Sequence, residues 1–399
     1  MKKTITLSAT LALSVSAVVV QAQEPVTVGV LVPLTGELGE FGSIVANAVE
    51  LGVAEVNAAG GTACGPLRTV IADTQGSAEQ AIREGNKLID SEGAVAILGP
   101  TSGSMVALAD MAVRRKTLLM TPYAGTTTLN ELGGNYVYRT VSSDLGDGAA
   151  SGMWMTDRGY ESVAMLVQNE ESTISPAQVA RDRLEEAGVE ITDYIIYNPG
   201  QPSYQAELIS VLAHNPDAIY LAGGQESGVT VLKEAAAAGF EGEWLLTSDL
   251  AVPYTFEMVD PRILNGRAFV ELAEADNSLD EYKAFAALTQ EKTGAAPLPF
   301  SANTYDMVNL VALSLDLAET CTGEGINAVL RSVTEGGKKV STYAEGKAAI
   351  AAGEDIDLEG ASGPLTMDDS GTPAGSYAIW RAEDGAWALE RFYPATVFE

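Results

Sequence analysis

Two short stretches carry the residue types best suited to recognition chemistry. They are Ile97-Leu-Gly-Pro-Thr-Ser-Gly-Ser104 and Met120-Thr-Pro-Tyr-Ala-Gly-Thr-Thr127. In each, an apolar run breaks into a turn of glycine, proline and hydroxyl residues. Residues 94–98 read as a buried strand, 104–115 as the helix after it, and 117–121 as the next strand. In an open α/β sheet, ligands bind beyond the carboxyl ends of the strands. A helix N-terminus there offers unpaired N–H groups and the positive end of a dipole, which suit an anion such as a carboxylate. Thr101 and Ser102 stand at that helix start, where hydroxyl residues are also favoured simply as caps. The two turns together read as half of a small-molecule site. Covalent chemistry finds little support. The one histidine, His214, precedes Asn215-Pro216 in a predicted helix, and no motif pairs it with a serine. No His/Cys cluster has metal-ligand spacing. Asp368-Asp-Ser-Gly371 and Asp355-Ile-Asp357 are shorter than a calcium loop. No Gly-Lys-Ser or Gly-Lys-Thr of a phosphate loop occurs. The reading is a binder rather than an enzyme, with no cofactor and no metal.

The elements that must position these turns alternate in type. Residues 27–32 form an apolar run expected of a buried parallel strand. A glycine-rich turn (33–42), a helix (43–58), a strand (67–72) and a helix (78–91) lead into the two stretches above. A second series follows 136–141: helix 149–158, strand 162–167, helix 177–187, strand 191–197, helix 204–213, strand 217–221, a polar glycine turn (Gly223-Gly-Gln-Glu-Ser-Gly228) with its helix, and strand 244–247. Such βαβα alternation predicts parallel sheets covered by helices on both faces. Two similar α/β units facing each other leave a cleft between them as the ligand site. Helices at 279–293, 303–319 and 326–333 come next, and the last forty or so residues read as short β segments between Asp-rich turns.

Composition bounds the function. The chain has 399 residues, of which 46% are apolar, enough for two domains with sizeable cores. A net charge of −31 argues against nucleic acid as a partner and reads as a well-solvated surface. Met1-Lys-Lys, the apolar run 5–20 and the small-residue site Val20-Gln-Ala22 form the pattern of a secretory signal peptide over residues 1–22. The periplasm is the expected destination. The two cysteines, Cys64 and Cys321, suggest a disulfide in an exported chain; two separate buried thiols are the alternative.

Six motifs recur in a family order: Val28-Gly-Val-Leu-Val-Pro-Leu-Thr-Gly36, Glu55-Val-Asn-Ala-Ala-Gly-Gly61, Ile97-Leu-Gly-Pro100, Tyr138-Arg-Thr-Val-Ser-Ser-Asp144, Asn215-Pro-Asp-Ala-Ile219 and Gly363-Pro-Leu-Thr-Met367. Over essentially the whole mature chain, the sequence resembles the periplasmic substrate-binding proteins of the branched-chain amino acid ABC transporter family. The resemblance implies the type I periplasmic binding protein fold: two doubly wound α/β lobes joined by three crossover strands. The crossings would fall near 139–141, 268–272 and 375–377. One lobe would comprise 24–140 plus 271–375, and the other 141–270 plus 376–399. That partition puts Cys64 and Cys321 in one lobe.

The resemblance also implies a site. Ser102 matches the hydroxyl position that holds a ligand carboxylate, with Thr101 and Ser104 close by. The next turn matches Tyr123, Ala124, Gly125 and Thr126; the family's threonine position falls on Gly125, and Thr126 stands beside it as a substitute. Asp249 matches an acidic partner for the ligand ammonium, and Phe41 a pocket aromatic. Ser172 and Gln225 stand where the family often has aromatics, while Glu170 and Glu171 read as solvated. This more polar wall argues against leucine, isoleucine or valine and for another amino acid or similar zwitterion. The implied partner is the membrane permease of an ABC transporter, and the chain is expected to be a monomer. A sensing module for an amide or small organic acid, signalling to a membrane partner, is the alternative.

Overall fold

The computed structural model describes residues 23–398, so the expected signal peptide lies outside the described residues. The first sheet has the order β2-β1-β3-β4-β5 and is parallel throughout. Its strands are β1 (Val26–Val32), β2 (Leu67–Asp73), β3 (Ala96–Leu98), β4 (Leu118–Thr121) and β5 (Val137–Arg139). Every residue of β1 is buried, as a parallel strand between two helical layers requires. Helices α1 (Gly39–Ala58), α2 (Ala78–Asp90) and α3 (Ser102–Arg115) connect the strands, with the one-turn α4 (Leu129–Leu132) before β5.

The second sheet has seven strands in the order β15-β14-β10-β9-β8-β6-β7. Strands β6 (Ser162–Gln168), β7 (Glu190–Tyr197), β8 (Ala218–Ala222), β9 (Glu243–Leu246) and β10 (Ala268–Ala273) are parallel. A small third sheet holds β11 (Lys338–Val340), β12 (Ile356–Gly360) and β13 (Gly363–Pro364). The antiparallel pair β14 (Tyr377–Glu383) and β15 (Ala386–Tyr393) then completes the second sheet against β10. Helices α5 (Asp144–Asp157), α6 (Glu171–Glu186), α7 (Gln205–Ala213) and α8 (Gln225–Ala237) belong to this lobe.

The chain thus passes from the first sheet to the second after β5, returns after β10, and crosses again before β14. In between, the helix Ser301–Leu317 packs Met307, Val308 and Val311 into the cluster formed by Val28, Val30, Val49 and Val53 of the first lobe. Each such side chain contributes roughly 1.5–3 kcal/mol on burial, so the returning segment is part of that lobe's core. Cys64 and Cys321 are disulfide-bonded across this junction.

The starts of α5 and α6 differ most from the sequence expectation. Helix α5 begins at Asp144, capped by the Ser143 side chain on Leu145 N–H, rather than at residue 149. Helix α6 begins at Glu171 and runs through Pro176, whereas a proline ordinarily marks a helix start. Pro176 has no N–H to offer the carbonyl of Ser172, one turn earlier. Ser172 and Pro176 both line the cleft between the lobes.

Candidate ligand-binding site

A cavity lies where the carboxyl ends of the two sheets face each other. The first lobe contributes Leu38, Phe41, Thr101, Ser102, Tyr123 and Gly125, with Phe300 from the returning segment. The second contributes Asp144, Asp147, Ser172, Thr247, Ser248 and Asp249, and Tyr377 from β14. Of the residues expected at a site, the structure therefore brings together Thr101, Ser102, Tyr123, Gly125, Phe41, Ser172 and Asp249.

The first-lobe wall is built by the turn after β3. Thr101, in extended conformation, precedes α3, and its side chain makes no capping bond. Its hydroxyl donates to Ser104 Oγ at 3.0 Å instead. Ser102 is 3% exposed and opens α3, so its hydroxyl and the first N–H groups of the helix are available for an anion. Tyr123 donates from its hydroxyl to the Gly99 carbonyl at 2.7 Å. Its ring sits edge-on to Phe41 at 5.1 Å, and Phe41 to Phe300 at 5.4 Å. The three rings make a rigid apolar floor.

Three expected residues point elsewhere. Ala124 is wholly buried, and its N–H donates to Thr121 Oγ1 at 3.2 Å. Thr126 donates to Glu171 Oε1 at 2.6 Å, across the two lobes. Gln225 opens α8, its N–H donates to the Glu37 carbonyl at 2.9 Å, and its Oε1 accepts from Glu40 N–H at 3.4 Å. The Thr126 and Gln225 contacts join the two lobes, whereas the Ala124 contact stays within its own turn. Glu171 is a correction to the solvated reading: it accepts from both Thr126 and Thr128, the latter at 2.8 Å, while Ser175 Oγ accepts from Thr127 N–H at 3.0 Å. Glu170 stays exposed at the mouth.

Gly125 has a physical explanation. A Cβ at that position would lie 2.0 Å from Asp144 Oδ1. A carboxylate from the second lobe thus fills the space beside residue 125, and the Asp144 N–H donates to the Gly125 carbonyl at 2.7 Å. Sequence reasoning missed Asp144 as a lining residue, although it closes the Tyr138-to-Asp144 motif. Asp147 was missed as well; it lies one helical turn further along α5. Arg139, 1% exposed, braces the same turn from behind. Its guanidinium donates to the carbonyls of Gly125 and Thr126, to Thr372 Oγ1 and to Asn130.

The electrostatics are one-sided. Burial, together with Asp147, Glu170 and Glu37 nearby, pushes Asp249 up to about 7. Burial and Asp147 raise Asp144 well above the usual carboxylate range. A cation placed against these groups would restore their charged forms. The second lobe therefore presents acceptors, and the first lobe donors and a helix N-terminus.

A family model for periplasmic binding proteins matches residues 25–386. A Leu/Ile/Val-binding protein from Rhizobium johnstonii is 24% identical over 374 residues, covering 92% of this chain and 97% of the relative. A leucine-, isoleucine-, valine-, threonine- and alanine-binding protein from Pseudomonas aeruginosa is 21% identical, covering 78% of this chain and 84% of its own. Among solved structures, a leucine-binding protein from Thermotoga maritima superposes with a TM-score of 0.81 at 22% identity, over 92% of this chain and 99% of that one. A solute-binding protein from R. palustris in complex with benzoate superposes with a TM-score of 0.77 at 18% identity, over 93% of this chain and 97% of that one.

Proposed function

The chain belongs to the periplasmic binding protein family, and from that premise we propose that it captures a small zwitterion, an α-amino acid or close analogue, and delivers it to the permease of an ABC transporter. One observation carries the reading: two unlike groups oppose each other across one cavity. On one side are Ser102 and the free N-terminus of α3; on the other is the Asp249 carboxyl. A carboxylate docks on the first through N–H and O–H donors. An ammonium docks on the second and keeps Asp249 ionised.

Closing the lobes buries the ligand, and its preference for the closed form shifts the hinge equilibrium. Ser172, Thr247 and Ser248 make the second-lobe wall polar, which speaks against an aliphatic side chain as the preferred cargo. Export through residues 1–22 and a periplasmic, monomeric binder complete the proposal. The test is calorimetry with amino acids, chosen by thermal-shift screening, on the wild type and on Ser102→Ala combined with Asp249→Ala. The expected result is a loss of at least ~100-fold in affinity, since two charge-assisted contacts disappear. Unchanged affinity in the double variant sinks the reading.

A further inference from the structure

We infer that the cleft selects a cationic amino acid, with Asp147, backed by Glu271, receiving the cation at the end of its side chain. The inference rests on the cleft being the ligand site.

Its starting point is a set of buried polar atoms that lack partners. Glu271 comes from β10, is 1% exposed, and no N–H or hydroxyl donor reaches either carboxylate oxygen; its one partner is the carboxyl of Asp147. Asp147 Oδ1 and Asp144 Oδ2 are likewise without donors, and Asp144 is 7% exposed and lines the cavity. Thr247 Oγ1, on the same cavity wall, is also unpartnered, and Thr247 is 5% exposed. Buried polar groups are almost always paired, and an unpaired buried carboxylate costs several kcal/mol. A partner of positive charge is therefore the missing element.

The protein does not supply it. The charged groups that press on Asp249 are Asp147, Glu170 and Glu37, all acidic. The charge of Arg139 acts on Asp144 from behind the turn, but its guanidinium hydrogen bonds all go elsewhere, to two carbonyls, Thr372 and Asn130. Among the described residues, no group of His, Cys, Asp and Glu is arranged to hold a metal ion.

Three carboxyls, Asp144, Asp147 and Asp249, line one cavity, and Asp147 stands at i+3 from Asp144 on one face of α5. A single α-ammonium brings one positive charge to them, so a second cation on the ligand still has a partner in Asp147. Burial raises both members of the Asp147–Glu271 pair, Asp147 to about 6 and Glu271, with Asp147 beside it, well above the usual carboxylate range; the hydrogen bond from Glu271 offsets part of the rise at Asp147. The proton of the pair therefore sits on Glu271, and Asp147 is the member that lines the cavity. The mouth reinforces the selection, because Glu37, Glu170 and Glu226 line the adjoining opening and draw cations toward it.

The experiment is calorimetry of the full mature chain with arginine, lysine, ornithine, glutamine and leucine, on the wild type, Asp147→Asn, Glu271→Gln and Ser102→Ala. The wild type is expected to bind at least one basic amino acid at least ~100-fold more tightly than glutamine or leucine. Asp147→Asn should cut the preference for that basic ligand over the neutral ones at least ~10-fold. Ser102→Ala should weaken all alike. Tight binding of leucine or glutamine without preference for bases, still weakened by Ser102→Ala, overturns this inference and leaves the amino-acid reading standing. Failure of every amino acid to bind overturns both. If Asp147→Asn does not fold, the wild-type ranking and Glu271→Gln still decide: equal affinity for basic and neutral ligands refutes the assignment.

Discussion

The start of α3 and the start of α8 are the same local structure in the two lobes. Each follows a buried parallel strand, and each is preceded by a residue in extended conformation, Thr101 at φ −65°, ψ 166° and Gly224 at φ −68°, ψ 173°. The N-terminus of α3 faces the cavity with its hydroxyls uncommitted to capping. The N-terminus of α8 is already occupied, because Glu37 of the first lobe reaches across. Ser227 N–H donates to Glu37 Oε2 at 3.0 Å, and Gln225 N–H donates to the Glu37 carbonyl at 2.9 Å. One anion-binding device is left for a ligand; its counterpart serves as a latch between lobes. Helix geometry alone does not decide between these uses. The neighbour that reaches the helix end does.

Four measurements bear on the difference between the two helix starts and the lobes that carry them. Replacing both Cys64 and Cys321 by serine should have the largest effect. Only the lobe that carries α3 is stapled this way, and chain-entropy reasoning sets an upper bound of about 5 kcal/mol for so long a loop. Calorimetric melting should show the loss, while ligand affinity stays within ~3-fold.

The second experiment is a pH series on the unliganded protein. Asp249 has its folded value raised from 3.8 to about 7. Below pH 3.8 both folded and unfolded forms hold the proton. Between 3.8 and about 7 only the folded form does, so stability falls as pH rises through that window. The full difference corresponds to at most roughly 4 kcal/mol. Asp249→Asn should flatten the decline measured between pH 4 and 8, and an equally steep decline in that variant contradicts the assignment.

Third, a Cβ on Gly224 would lie 2.7 Å from Glu37 Oε2. Gly224→Ala should push the latch apart at a cost of about 1–3 kcal/mol. Small-angle scattering should then report a larger radius of gyration, with weaker ligand binding. The smallest effect belongs to Glu37→Gln. It keeps an acceptor at α8 but removes the charge, worth about 0.3–1 kcal/mol at a helix N-terminus. Affinity should drop about 2- to 5-fold; no change would deny Glu37 the latch role.

Much of the scaffold was legible in the sequence. Strands β1 to β4 and β6 to β9 announced themselves as apolar runs, and the turns that follow them marked the end of the sheet where a cleft could form. Ser102, Thr101, Tyr123 and Phe41 are positioned by those local signals. What escaped was set by contacts between the lobes. Helix α6 runs past Pro176 to an N-terminus where Glu171 accepts two threonine hydroxyls from the other lobe. Gly125 looked like a lost hydroxyl, yet it is the space that Asp144 occupies. Ala124, Thr126 and Gln225 are turned away by partners that lie far from them in the chain or are hidden in the local turn. Asp147 gives no sign in one dimension that Glu271 stands behind it.

The bond between Cys64 and Cys321 spans 257 residues, and strands β6 to β10 all lie within that span. A chain made from its N-terminus therefore exposes Cys64 as a lone thiol through most of its synthesis. Its correct partner emerges only after the five parallel strands of the second sheet have appeared. Oxidation of the pair is a timestamp on biogenesis: it dates the return of the chain to the lobe it began.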